Sequence, residues 1–352
     1  MTIIDLRCDS LTLPTEEMLN SMRQVGVNSD ILGNNQLTHE IQELAAQIFG
    51  AEDALFLTSS SQSNIVALLT HCSTGDKFIV GSKAHIYRHG TINMALTAQL
   101  IPELIKDDSG IFNNDNIYNV INNKSASSSI PKLLLLENTH DYTGGTCWTP
   151  DQVAKVAKIA HESEMKVHID GTRIFNASVA LGTPVSSYMH HVDSIQFSLH
   201  HGLSCPMGSI LVGTHDFINS ARKVQEMIGG NIQKSDLFAA PGIIALKSMI
   251  HRLADDHTNA HRLADNLEIL DEIVIDYDSI QTNMVIADIS ATGMSSKEFI
   301  IRARDRGLLI SCFGETTVRF VTHRNIMAEN IDQAAMIIES LIPSCPSGVC
   351  SI

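Results

Sequence analysis

From residue 38 to residue 213 the chain alternates amphipathic stretches with short apolar runs, and few architectures absorb that order. The runs "DALFLTSS", "DKFIVG", "KLLLLEN", "KVHID", "SIQFSL" and "GSILVG" are the length of strands and largely apolar, as strands covered on both faces are. Between them, "THEIQELAAQIFG", "QSNIVALLTHC" and "TPDQVAKVAKIAHES" carry helical spacing, the last opening on Thr149 as N-cap and Pro150 in the first turn. This order predicts an α/β fold, a mostly parallel sheet with helices on both faces. The Asn- and Ser-rich residues 113 to 131 read as a helix followed by a surface loop.

From about residue 235 the pattern changes. A long helical stretch through "ALKSMIHRLADDHTNAHRLADNL" leads to "QTNMVIADI", "GLLISCF" and "TTVRFVTH", which predict a small antiparallel sheet packed by helices. At 352 residues the chain exceeds the roughly 250–300 residues at which single cores stop growing. The expected division is a large domain over 1–250 and a small C-terminal α+β domain over 251–352, with no internal repeat.

The net charge of −15 comes with no long basic run, which argues against nucleic acid or an anionic membrane as the main partner and leaves a small molecule or a protein. The first residues, "MTIIDLRCDS", place Asp5, Arg7 and Asp9 where a signal peptide is apolar. No window reaches the roughly 18 apolar residues of a membrane span. Seven scattered cysteines read as the reduced thiols of a cytoplasmic protein. Cys345 and Cys350, in "SCPSGVC", read as part of a frayed terminus.

Ligands of a parallel sheet gather at the C-terminal ends of its strands, and several polar groups fall there. Ser60 and Ser61 of "LTSSSQSN" open a helix, where hydroxyls serve either as caps or as an anion cradle. "LLLLENTH" delivers Glu137, Asn138 and His140, "VHIDGTR" delivers Asp170 and Arg173, and His85 follows "KFIVG". A carboxylate directly after a buried strand must be paired or functional. "FSLHHGLSCPMGS" ends a strand in His200 and His201.

With "IDLRCDSLTLPT", "AEDALFLTSSSQSN", "AHIY", "HIDGTRIFNA", "MIGG" and "VRFVTH", these stretches resemble, over essentially the whole chain, the threonine aldolases of the β-eliminating lyase group. The resemblance implies the aspartate-aminotransferase-like fold (pyridoxal-phosphate fold type I) with seven strands in the sheet, assembled as homodimers or homotetramers. It implies pyridoxal phosphate (PLP) as cofactor and an amino acid or related carboxylate as substrate, cleaved between Cα and Cβ. By motif, His85 stacks on the ring, Asp170 pairs with its nitrogen, Arg173 lies near its hydroxyl and Ser60 and Ser61 face its phosphate. His140 faces the substrate hydroxyl, and Arg319 and Cys8 stand at the substrate, Arg319 on its carboxylate.

The sequence also departs from that family. His201 stands at the Schiff-base lysine, and an imidazole cannot form an imine with the cofactor aldehyde. Ser60 replaces a phosphate-loop glycine, Cys8 a serine and Leu32 a tyrosine, with Asn34 and Asn35 where acidic residues are common. Glu226 and Gln233 replace two cations that reach the phosphate from a neighbouring subunit; each such contact is worth roughly 4 kcal/mol at about 4 Å and an effective dielectric near 20. Changes at so many anchoring points read as natural divergence rather than a single engineered knock-out. Three readings follow: lyase-type chemistry with His201 as base and PLP or pyridoxamine phosphate bound weakly, non-covalently or not at all; a non-catalytic relative with a binding or regulatory role; and a PLP-independent metal enzyme in the emptied cavity. His85, His140, His201 and Asp170 would line that cavity, with His200 and Cys205 close in sequence, and no regular ligand spacing such as HxxxH or CxxC is read in its support.

Overall fold

The computed structural model describes residues 3–25, 35–93, 97–122 and 130–342. The chain divides into two compact units, one over Thr12–Ala254 and one joining the residues up to Leu11 to those from Asp255 onward. Residues 3–11 thus belong with the C-terminal unit, where the sequence reading put them in the large domain. The reason is a strand pairing, Ile4–Asp5 lying parallel to Leu308–Leu309.

The larger unit is built on a seven-stranded sheet in the spatial order Asp53–Leu57, Ser209–Gly213, Ser194–Ser198, Lys166–Asp170, Leu133–Glu137, Lys77–Gly81, Ile101–Ile105. Only Ser209–Gly213 runs against the others. Six of these strands are the apolar runs read from the sequence. The seventh, Ile101–Ile105, is an edge strand carrying Pro102 and partly exposed side chains, so it lacks the apolar signature of a covered strand. The helix Pro150–Glu162 opens on the expected N-cap Thr149, which also forms a capping box with Gln152.

One face of this sheet is apolar except at its edge, where Lys77 pairs with Glu103. Ile79, Leu134, Leu136, Val167, Ile169, Ile195, Phe197, Ile210 and Val212 form a single core with the covering helices, centred on Phe49, stacked on Phe197 at 4.8 Å and edge-on to Phe175 at 5.7 Å. The opposite face is divided. Leu55, Leu57 and Leu211 form one apolar cluster on the antiparallel flank, and Phe78, Val80, Leu133 and Leu135 another on the parallel flank. The two strands between them turn His168 and Asp170, and Ser194, Gln196 and Ser198, to that side, because side chains alternate along a strand and His168 pairs with Ser194 and Asp170 with Gln196 in register. The helix Ser60–His71 covers the resulting polar stripe.

The smaller unit holds a four-stranded antiparallel sheet, Ser311–Cys312, Thr317–Val321, Met284–Asp288 and Val274–Ile275. "GLLISCF" is therefore shared between two pairings rather than forming one strand. The helical pattern from residue 235 is likewise not one helix: Asp236–Ile244 continues as a π turn over Ala245–Met249, and Leu253–Glu268 begins after a break.

Gly171 joins the polar stripe to its loop. Its N–H donates to the Gln196 carbonyl at 2.9 Å, and a Cβ there would stand 2.6 Å from that same oxygen and 3.1 Å from Ile174 Cβ. Gly171→Ala is expected to lower the free energy of urea unfolding by about 2 kcal/mol, as overpacking against fixed backbone does; an unchanged midpoint would show that the strand ends can part freely.

Candidate active site

Asp170, at the end of its strand, is buried and held entirely by neutral groups. Asn64 donates to Oδ2 at 2.8 Å, while the Thr172 hydroxyl (2.8 Å), the Thr172 amide (3.3 Å) and the Gln196 amide group all donate to Oδ1. Behind Asn64 the stripe continues: Asn64 Oδ1 lies 3.2 Å from His168 Nε2, His168 Nδ1 lies 2.8 Å from Ser194 Oγ, and Ser194 Oγ lies 2.7 Å from His71 Nε2. Burial pushes His71 down to about 4 and His168 down to about 3, so both rings are neutral at neutral pH.

A second network surrounds the end of Leu133–Glu137. Glu137 accepts the backbone N–H of His85 at 2.6 Å and that of Asp141 at 2.8 Å, which fixes the start of the helix His85–Asn93 against the turn after the strand. Burial raises the Glu137 carboxyl, opposed by His140 and reinforced by Asp170 and Asp141. His140 is only 2% exposed, with Nε2 3.0 Å from Asp107 Oδ2 and Nδ1 3.1 Å from Thr143 Oγ1. Burial lowers the His140 ring, but Glu137 and Asp107 outweigh it, so the ring is raised above its ordinary value. Arg173 is paired to Asp141 at 3.0 Å. Asn138 answers the backbone of Trp148 in both directions at 3.2 Å, a structural task.

The two histidines after Ser194–Ser198 share one hydroxyl. Ser198 Oγ accepts the backbone N–H of both His200 and His201 at 3.2 Å, and the two Nδ1 atoms approach it at 3.0 and 2.9 Å. The rings stand 4.2 Å apart, tilted by 43°. At the helix Ser60–His71, Ser59 is the cap, accepting from the Gln62 amide at 3.2 Å, so capping does not occupy Ser60. The Ser60 hydroxyl is buried with no partner in the protein, and Ser61 is exposed.

Cys8 and Arg319 belong to the other unit. The Cys8 thiol lies 3.0 Å from the Ser10 hydroxyl, and the Arg319 guanidinium lies over the Phe313 ring at 4.9 Å. Leu32 and Asn34 lie outside the described residues, while Glu226 and Gln233 are exposed. Among the larger unit's candidates, the structure gathers His85, Glu137, His140, Asp170, Arg173 and His201 at or just after the C-terminal ends of parallel strands.

Comparison with known proteins puts this geometry in a lineage. The family model described as beta-eliminating lyase matches residues 5–290. The chain belongs to the β-eliminating lyase family. It is 34% identical over 334 residues to the low specificity L-threonine aldolase of Escherichia coli K12, covering 95% of this chain and 97% of that one. It is 31% identical over 336 residues to low-specificity L-threonine aldolase 1 of Arabidopsis thaliana, covering 94% of each. Among solved structures, the threonine aldolase of Leishmania major superposes with a TM-score of 0.82 at 16% identity over 96% of this chain and 99% of that one. The serine palmitoyltransferase of Sphingomonas wittichii does so with a TM-score of 0.74 at 14% identity over 97% and 86%. The fold is thus that of the PLP fold type I enzymes.

For a member of this family, the residues present fit part of that cofactor. A carboxylate has about four acceptor positions, and Asp170 Oδ2 takes one hydrogen from the protein where Oδ1 takes three; Oδ2 has room for a ring N–H. The Ser60 hydroxyl at a helix N-terminus fits an anionic oxygen. At the strand end that carries His201, the side chain is an imidazole where a covalent link needs an amine.

Reading strand ends passed over Asn64, Asp107, His168, Ser194, Ser198 and Gln196. A signal for four of them exists. "VHID" and "SIQFS" place polar residues at every second position of strands that are apolar on the other face, which is costly unless those residues bond one another. His89 was also overlooked, although "HIYRH" sets it one turn from His85, with ring centroids 4.9 Å apart.

The Asp107–His140 pair predicts a pH window. His140, raised in the folded state, contributes stability that is full below about pH 6.5 and is lost as pH rises through its folded value. Asp107, lowered despite burial by the His140 ring and the Lys83 amide, contributes above about pH 4 and is lost as pH falls through its folded value. Asp107→Asn is expected to cost about 3 kcal/mol in urea unfolding between those limits and less at alkaline pH. An equal loss at both would reject the ion pair.

Proposed function

We propose that this protein is a divergent, threonine-aldolase-like lyase acting on a small amino acid or related carboxylate, with His201 in the lysine's place as general base. PLP or pyridoxamine phosphate is held without a covalent link. The observation that carries the reading is the pairing of Asp170, with acceptor room on Oδ2, and His201, held through Ser198, on the ends of adjacent strands.

When bound, the cofactor supplies an electron sink for the cleaved bond. Asp170 Oδ2 would hold the ring N–H, and the Ser60 hydroxyl with the first-turn N–H groups and Ser61 would hold the phosphate. His85, its backbone fixed by Glu137, would cover the ring, and Arg173, steadied by Asp141, would border the ring hydroxyl. His201 takes the proton: an imidazole with a reference pKa of about 6.5 suits transfer at neutral pH. With Nδ1 turned to Ser198, Nε2 is the nitrogen that meets the substrate. His140 reaches a substrate hydroxyl by exchanging Thr143 for it at Nδ1, while Asp107 keeps Nε2. Arg319, with Cys8, is assigned to the substrate carboxylate by the family pattern.

Location in the cytoplasm is part of this reading, supported by the free thiols of the described cysteines. Among the described residues no single helix is long and apolar enough to cross a membrane. Assembly into homodimers or homotetramers is carried over with the family. One observation favours the metal-using alternative, the His85–His89 pair one helical turn apart. Zinc or iron that copurifies stoichiometrically and is lost in His89→Ala would support it.

Mixing the purified protein with PLP is expected to give no visible imine band and no borohydride-fixed adduct by mass spectrometry, whereas His201→Lys is expected to give an adduct at position 201. An adduct on any lysine of the unmutated chain would overturn the non-covalent reading. Glycine release from a panel of β-hydroxy amino acids is expected to fall about a hundredfold or more in His201→Ala. A panel with no turnover would leave the binding or regulatory role in its place.

A further inference from the structure

One fixed point sets the hydrogens along the polar stripe. As a carboxylate, Asp170 only accepts, so Asn64 presents its NH2 to Oδ2 and its carbonyl to His168. His168 Nε2 therefore carries the hydrogen, and in a neutral ring Nδ1 is then bare. The Ser194 hydroxyl donates to that Nδ1 and accepts from His71 Nε2. On the other flank Gln196 Nε2 donates to Asp170 and Ser63 donates to Ser209 at 2.8 Å, while the single Ser209 hydrogen stands between two acceptors, the Phe197 carbonyl at 2.8 Å and Gln196 Oε1 at 2.9 Å. Along the flank from His71 to Asn64 every donor points toward Asp170.

We propose that His71, Ser194, His168 and Asn64 form a positioning relay for Asp170, a hydrogen-bond chain with two self-consistent polarities, one for Asp170 as carboxylate and the reverse for Asp170 as carboxylic acid. In the reverse state Asp170 O–H donates to a turned Asn64 carbonyl, Asn64 NH2 to His168 Nε2, His168 Nδ1–H to Ser194, and Ser194 O–H to His71 Nε2. Each ring changes tautomer, and Asp170 holds one proton more. A ring N–H on Oδ2 demands the first state, so half-buried His71, stacked on Phe217 at 4.3 Å, is coupled to whatever Asp170 holds. The coupling to a ring nitrogen rests on the cofactor reading above; the polarity of the chain does not.

The test is long-range 1H–15N spectroscopy of the full chain with labelled histidine at neutral pH. His71 and His168 are expected as neutral Nε2–H tautomers. In Asp170→Asn, where the carboxamide can turn either end to Asn64, both signals are expected to move toward mixed tautomers, although His71 is three residues removed along the chain of bonds. Ser194→Ala is expected to leave His71 insensitive to the change at 170. It is also expected to weaken PLP binding about three- to tenfold, the worth of one hydrogen bond, with the melting temperature reporting that the variants are folded. An Nδ1–H tautomer or imidazolium at either ring in the unmutated protein overturns the relay, as does a His71 signal unmoved by Asp170→Asn. Unchanged PLP affinity in Ser194→Ala overturns its positioning role. If PLP fails to bind the unmutated protein, the cofactor reading falls while the spectra still decide the relay.

Discussion

A carboxylate on the covered face of a sheet must find its hydrogen bonds inside the protein, and much of the larger unit is arranged around meeting that demand for Asp170. Its donors come from the strand beside it, from the turn after its own strand and from the covering helix, so three elements are locked to one side chain. Each donor is an amide or hydroxyl that needs partners of its own. The requirement therefore spreads through Asn64 to His168, Ser194 and His71, and through Gln196 to Ser209 and Ser63. Burial of two neutral imidazoles fits the same demand, since a neutral ring can accept at one nitrogen while donating at the other.

The end of Leu133–Glu137 solves a different problem with different chemistry. There carboxylates crowd together, and Glu137, Asp107 and Asp141 are offset by His140, Arg173 and backbone amides. The result is loop geometry rather than a relay. Glu137 sets where the helix bearing His85 begins, and Asp107 with Thr143 sets the plane of His140. The two networks meet at the sheet, where Glu137 and Asp170 are register neighbours, so any ligand at Asp170 borders side chains already held by the second network.

The strands, their order of appearance and the capped helix Pro150–Glu162 were legible because burial on both faces leaves a local mark, a short apolar run between turn signals. The edge strand Ile101–Ile105 was not, because an edge position relaxes that constraint. Residues 3–11 were assigned to the wrong unit for a different reason: a two-residue strand pairing with Leu308–Leu309 is a long-range fact with no local signature. Within the site, single polar residues at strand ends stood out, but the partners that decide their behaviour lie on other elements. Asp107, far from His140 in sequence, could not be connected to it without the fold.

The polar stripe also bears on whether the site is a relic. A chain that needed only its fold would be served as well, or better, by apolar residues at these positions, since buried polar networks seldom beat well-packed hydrophobic ones in stability. Leaving any member unpaired costs about 1–3 kcal/mol, so the network is also intolerant of partial loss. At the ends of the same strands His201 presents an imidazole that shares Ser198 with its neighbour His200. Covalent capture of a carbonyl needs an amine, whereas holding a ring nitrogen and moving a proton do not. A buried carboxylate and an imidazole, the groups that Asp170 and His201 carry, have the chemistry for those last two tasks.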